Sequence, residues 1–282
     1  MSVGVIGLGE VGLPVAKYLL SNGIDTYGYD VNPEAVKRAK SHGVTASHIW
    51  GDIPRCNVYI ICVSTLLSRG RWPDLTPVID VSKKISMKSA AETLISIEST
   101  IVPGTARRIY RSIFKRRCRL VHVPHRYWNR DPERHGIKQL RVIGGVNQNS
   151  LDAGVRFYEQ KLEIPLYKVP SIELAETCKI VENAYRYLQI SFAEELRMIC
   201  EEIGLDFEEL RKASNTKWNI EIPEARDGIG GHCLPKDVRY LTSLSKCDLL
   251  LKSAIKVDER YRQFLASHSC KGDVHRRKSS RS

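Results

Sequence analysis

The chain contains no run of about 18 consecutive apolar residues, which excludes a membrane-spanning helix and leaves no membrane partner to expect. No secretory leader is expected either. The N-terminus, MSVGVIGLG, lacks a basic region and a cleavage site, and reads as a strand entering a glycine turn. Its eight cysteines are scattered without one C-x-x-C pair, which argues against a zinc site and against a disulfide framework. A reducing, cytoplasmic setting is expected. Acidic residues are in deficit, 32 against 44 Lys and Arg, for a net charge of +12. No aromatic stacking platform or DNA-reading motif accompanies that charge, so no nucleic-acid partner is expected, and an anionic small substrate suits it equally well. Part of the charge lies in residues 267–282, polar and without apolar periodicity, where disorder is expected. Another part lies in residues 107–119, where Arg107, Arg108, Arg111, Lys115, Arg116, Arg117 and Arg119 would form a solvated face if placed on a helix.

What is present begins at the first residues. A short apolar strand at 3–6 runs into Gly7-Leu8-Gly9-Glu10-Val11-Gly12, then a helical pattern, then a second strand at 24–29 ending at Asp30. Strand, G-x-G-x-x-G, helix, strand and acid make up the complete layout of a dinucleotide site. Gly7 makes the tight turn, Gly9 admits the pyrophosphate and Gly12 lets helix and strand pack closely, with Glu10 and Val11 in the same turn. Asp30 is placed to accept from ribose hydroxyls and to repel a phosphate there, which predicts NAD rather than NADP. Further strands at 58–63, 94–97, 120–123, 141–146 and 166–169, with helical segments among them, extend this to an α/β, Rossmann-type doubly wound sheet over residues 1–170. Ser64 and Thr65 follow one strand and Ser99 and Thr100 another, at the strand ends where such sheets bind ligands.

Residues 171–203 read as one long amphipathic helix, with Ser171 as its cap and Gly204 as its stop. At about 1.5 Å per residue it is longer than one domain needs, so it is expected to link two domains and to offer a homodimer surface. Residues 171–266 then form a long helix and a small helical domain. Lys179 and Asn183, four apart, share one face of the helix and can polarise a carbonyl or hold an oxyanion. Near the end, GIGGHCLPKD (228–237) sets Cys233 in a glycine turn with Lys236 and Asp237 close behind. A thiol so placed suits nucleophilic catalysis; a structural cysteine in a capping loop is the simpler alternative.

With GVIGLGEVGLPVA, ESTIVPGTARRI, ELAETCKIVENAYRYLQISFAEELRMICEEIGLD and GIGGHCLPKD together, the chain resembles the UDP-glucose/GDP-mannose dehydrogenase family. The resemblance implies oxidation of a primary alcohol of a sugar or nucleotide sugar to a carboxylate, using two NAD molecules in turn. It implies that Cys233 forms a thiohemiacetal and then a thioester, that Lys179 and Asn183 stabilise the oxyanion, and that Asp237 acts through water on proton transfer. Thr100 then lies near the reacting centre and also, with Thr65 and Asp30, near the cofactor. The family continues into a third domain that grips the nucleotide, whereas this sequence ends after the linker that precedes it. The family also has Pro-Glu after the strand at 120–123. Counting back from Arg141 places Pro124-His125 there, so His125 stands in place of a glutamate implicated in thioester hydrolysis; Pro132-Glu133 is eight residues out of register. Two other readings remain at this point: a two-electron hydroxyacid dehydrogenase, for which Cys233 has no use, and a non-catalytic NAD-binding subunit whose substrate domain comes from a partner.

Overall fold

A computed structural model describes the backbone of residues 1–68 and 72–278, and the side chains of these except residue 72 and residues 269–278. The chain divides into two compact units, Met1–Lys179 and Ile180–Ser282.

The first unit runs β1 (Ser2–Ile6), α1 (Gly12–Ser21), β2 (Asp25–Tyr29), α2 (Pro33–Ser41), β3 (Thr45–Ser47), β4 (Val58–Ile61), β5 (Leu66–Ser68), β6 (Trp72–Asp74), α3 (Thr76–Lys88), β7 (Leu94–Ile97), α4 (Thr105–Ser112), β8 (Arg119–His122), β9 (Arg141–Gly145), α5 (Gln148–Val155) and β10 (Leu166–Lys168). Eight of these strands form one sheet in the order β10-β9-β8-β7-β4-β1-β2-β3, while β5 and β6 make a separate hairpin. Every neighbouring pair in the sheet is parallel except β8 and β9, where Val121 faces Gly145. All the strands expected from the sequence lie in this sheet. The additional ones, β3, β5 and β6, have three residues each, too few to show a period.

Alternation along the strands supplies two cores. Val3, Val5, Ile60 and Val121 are buried on one face with residues of α1, α2 and α5. Ile6, Tyr59, Ile61, Ile95, Ile97 and Leu120 are buried on the other with residues of α3 and α4. Each such side chain contributes about 1.5–3 kcal/mol by leaving water. Because β1 has β2 on one side and β4 on the other, the chain reverses its direction of winding at β1. Sheets of this kind bind ligands at the carboxyl ends of the strands at such a point.

The basic stretch at 107–119 does not form one helical face. Helix α4 stops at Ser112, Lys115 and Arg116 turn the chain with φ of +52° and +61°, and Arg119 opens β8. Arg107 pairs with Glu173 at 2.5 Å and Arg119 with Glu92 at 2.6 Å, so two of its charges are structural.

Helix α6 (Ile172–Ile203) begins in the first unit and continues in the second. The Leu174 amide donates to Ser171 Oγ at 3.2 Å, and Gly204, at φ +73°, stops it, as the sequence predicts. Helices α7 (Phe207–Ser214), α8 (Cys233–Ser243) and α9 (Leu249–Lys278) follow. Ala184, Tyr187, Ile229, Val238 and Ala254 form one small core of this unit, and Ala193, Ala225 and Tyr261 another. The tail expected to be disordered at 267–282 instead continues α9 through Lys278, and residues 279–282 lie outside the described residues. Along α6, Val181, Tyr185, Phe192, Ile199 and Ile203 are exposed. Among the described residues no helix is long and apolar enough to cross a membrane.

Candidate active site

The glycine turn after β1 owes its shape to close backbone approach. Gly7 has φ +94°, and a Cβ at Gly12 would stand 1.7 Å from the Gly7 carbonyl oxygen. At Gly9 a Cβ would meet nothing within 4 Å, so the turn leaves free space at the position where a pyrophosphate must approach the backbone. Asp30, half-buried at the end of β2, accepts the Leu8 amide at 2.7 Å on one oxygen and the Asn32 amide at 2.8 Å on the other. The carboxylate therefore also fixes the turn, and each oxygen keeps a lone pair for a ribose hydroxyl. Glu10 is exposed and accepts from Asn129 Nδ2 at 2.5 Å, while Val11 packs against the core under α1. These features fit a bound dinucleotide.

At the neighbouring strand ends, Ser64 is exposed and Thr65 buried, with Thr65 Oγ1 donating to the Thr100 carbonyl at 2.7 Å. Ser99 Oγ donates to the Val63 carbonyl at 2.7 Å, which ties the ends of β4 and β7 together. Thr100 remains half-buried. His125 follows β8 and is buried, with Nε2 at 2.7 Å from Glu98 Oε2, bent away from the line of a ring N–H bond. Burial and the Arg141 guanidinium push its pKa down, Glu98 partly opposes them, and Lys179 adds to the lowering. The ring is therefore neutral near pH 7, the state a general base requires. Glu133, from the out-of-register Pro-Glu, is exposed in a segment of turns.

In the second unit, Gly228 and Gly231 have φ of +88° and +78°, conformations that favour glycine, and they lead the chain into α8. Cys233 is the first residue of that helix and is exposed. Asp237, one turn further, is fully buried; it accepts from Asn183 Nδ2 at 2.5 Å and lies 2.6 Å from Lys236 Nζ. Asn183 keeps its second amide hydrogen for another acceptor. Lys179 is half-buried one turn before Asn183 on α6. The structure thus brings Asn183, Asp237 and Lys236 together, with Cys233 heading the same helix. In the first unit it brings Thr65 together with Thr100, and His125 with Glu98.

Sequence reasoning missed several buried polar groups of the first unit. Glu98 is fully buried; it accepts from Tyr158 Oη at 2.5 Å and lies 3.1 Å from Arg141 Nη2. Burial alone would raise its pKa, but Arg141, His125 and Tyr158 outweigh that and hold it at about 2. Glu176 of α6 accepts the Gly104 and Ala106 amides at 2.6 and 2.8 Å, capping α4 from another element. Burial nonetheless raises its pKa to about 7. The available signal was an ionisable residue directly abutting an apolar strand, as in LISIE and RVIGG.

Two sequence profiles match the chain: the UDP-glucose/GDP-mannose dehydrogenase family NAD binding domain over residues 44–162, and the central domain of the same family over residues 173–260. A UDP-N-acetyl-D-mannosamine dehydrogenase of Pyrococcus horikoshii is 30% identical over 94% of this chain and 70% of its own length. One of Methanocaldococcus jannaschii is 30% identical over 90% of this chain. The chain spans 64% of that second relative, less than two thirds. The solved structure of the Pyrococcus horikoshii UDP-D-ManNAc dehydrogenase superposes with a TM-score of 0.88 at 28% identity, over 95% of this chain and 70% of that one. The cofactor implied by the first profile is NAD, in agreement with the turn at Gly7 and the acid at Asp30. Sequence, fold and glycine turn agree, and the chain belongs to the UDP-glucose/GDP-mannose dehydrogenase family.

Proposed function

We propose that the protein is a cytoplasmic oxidoreductase that converts the primary alcohol of a nucleotide sugar, of the UDP-N-acetylhexosamine type, to a carboxylate through a covalent intermediate on Cys233. The observation that carries this reading is the head of α8. There an exposed thiol stands one helical turn from a buried aspartate that Asn183 and Lys236 hold in place. A hydroxyacid dehydrogenase has no use for that thiol. The names of the relatives support the substrate class.

The Gly7–Gly12 turn and Asp30 would hold NAD, which would supply the hydride acceptor for each of two oxidations. The remaining work belongs to the chain. Asp237 takes the hydroxyl proton through a water, with Thr100 beside the reacting centre. The Cys233 sulfur adds to the resulting aldehyde carbon, and the oxygen that gains charge accepts hydrogen bonds from Lys179 Nζ and Asn183 Nδ2. The thiohemiacetal becomes a thioester on Cys233 at the second oxidation. A water deprotonated by His125 then attacks the thioester carbon and the thiolate leaves. The exposed apolar residues of α6 are read as the contact between two copies of the chain.

The test is NADH formation by the purified chain with UDP-N-acetyl-D-mannosamine, UDP-N-acetyl-D-glucosamine, UDP-glucose, the matching sugar phosphates and the free sugars. Two NADH per acid from a UDP-sugar are expected, and no NADH from any of them overturns the proposal. His125→Ala should release a burst of NADH, then stall with a substrate-mass adduct on Cys233. Normal turnover without an adduct would reduce His125 to a wall residue.

A further inference from the structure

Glu98 sits where four elements meet. Tyr158, in the short π-helix Arg156–Lys161, donates to its Oε1 at 2.5 Å, and Arg141 of β9 approaches the same oxygen at 3.1 Å. Cys62, after β4, places its sulfur 3.7 Å from Oε2, and His125, after β8, places Nε2 2.7 Å from that oxygen. The glutamate is 0% exposed and His125 7%. A buried carboxylate needs a compensating charge, and Arg141, itself 1% exposed and also bonded to the Val123 carbonyl, supplies it. The Glu98–Arg141 pair is already neutral, so the cluster does not need His125 to carry charge. The histidine is surplus to the electrostatics of the cluster, yet its ring is held by it.

We propose that Glu98 is a positioning residue for the hydrolytic step, its carboxylate orienting the His125 ring so that Nδ1 takes the proton from water. This rests on the hydrolytic role proposed above for His125. It replaces the single carboxylate of the family's Pro-Glu with a carboxylate–histidine pair. Neither ring nitrogen makes a well-aligned hydrogen bond to protein among the described residues, but only Nε2 faces a carboxylate, 2.7 Å from Glu98 Oε2. With Nε2–H turned on Glu98, the lone pair falls on Nδ1. The bent contact in the free enzyme is the kind that tightens once substrate is bound. In the step itself, Nδ1 takes a proton from water and the water oxygen bonds to the thioester carbon. The carbonyl electrons move to oxygen and return as the carbon–sulfur bond breaks. The Cys233 thiolate that leaves takes a proton from solvent, the His125 imidazolium returns one to solvent, and the acid formed ionises. The charged groups facing the ring are Glu98, Arg141 and Lys179, and the Tyr127 ring stands edge-on at 6.4 Å.

Two measurements decide the matter. The first needs no substrate: ¹⁵N spectra of the free protein at neutral pH, with the His125 signals assigned through their loss in His125→Gln. A neutral ring protonated on Nε2 is expected; the Nδ1–H tautomer or an imidazolium overturns the proposal. The second follows decay of the Cys233 adduct formed from UDP-N-acetyl-D-mannosamine and NAD. Glu98→Gln should keep the NADH burst, slow decay about 10–100-fold and move the acid limb of its pH profile to lower pH. The shift has that sign because the carboxylate that favours a proton on His125 is gone. Tyr158→Phe leaves the Arg141 pair intact and makes Glu98 a stronger acceptor, so its limb should move to higher pH even if Glu98→Gln does not fold. Limbs that stay in place, or a burst lost in proportion to decay, mean a merely structural glutamate. If the wild-type protein makes no NADH from this probe, the substrate reading fails, while the ring spectrum still decides the pair.

Discussion

Glu194 lies on α6 fully buried, and neither carboxyl oxygen has a hydrogen-bond partner. Burial, then the neighbouring Asp258, raises its pKa from the ordinary 4.5 to about 8, against a smaller opposing effect of Arg262. Folding at neutral pH must therefore take up a proton. The native state holds that proton more tightly than the unfolded chain. This contribution to stability is thus complete below pH about 4.5 and is lost progressively until pH about 8. At pH 7, two and a half units above 4.5, the loss is at most about 3.5 kcal/mol at about 1.4 kcal/mol per unit. Relaxation around the carboxylate reduces the expected figure to about 1–2 kcal/mol. Glu194→Gln keeps the shape and removes the proton uptake. Its unfolding free energy from urea melts should exceed the wild type's at pH 7 by about that amount, relative to their difference at pH 5. Whatever the new amide costs is the same at both pH values and cancels. There is a functional consequence. Asp258 accepts the Ile229 amide at 2.8 Å and so anchors the turn ahead of Cys233. A second negative charge beside it above pH 8 should speed amide exchange at residues 228–232 in the wild type but not in the variant. Equal stability differences at pH 5 and pH 7 would refute the reasoning.

Fluorescence titration should show tighter binding of NAD than of NADP, because Asp30 meets a 2′-phosphate with like charge; tighter NADP binding removes that role. Cys233→Ser should yield aldehyde at most, since a serine hydroxyl is the weaker nucleophile and gives no readily hydrolysed thioester; acid formation at the wild-type rate excludes covalent catalysis by Cys233. Light scattering at micromolar concentration should report a dimer that Phe192→Glu dissociates, and a monomeric wild type removes α6 as a contact between copies.

The glycine fingerprint, the strands that follow it, the ends of α6 and the turn before Cys233 were all readable along the chain. Each depends on neighbours a few residues apart. Gly7 needs its positive φ, Ser171 finds the Leu174 amide three residues on, and Gly204 stops the helix where it stands. Tertiary structure alone decided the rest. Asn183 and Asp237 are 54 positions apart and meet only because α6 and α8 pack against each other. His125, Glu98, Arg141 and Tyr158 come from separate segments, and only the strand order and the antiparallel turn of β9 bring them into one buried cluster. Periodicity marked the apolar positions of α6 but could not say which the fold covers; Ala184, Tyr187 and Ala193 went inside while Tyr185 and Phe192 stayed out. A local pattern fixes which conformation a segment adopts. Which charges are desolvated, and beside what, is set by packing between segments far apart in sequence, and that determines whether a histidine is a base or a glutamate holds a proton.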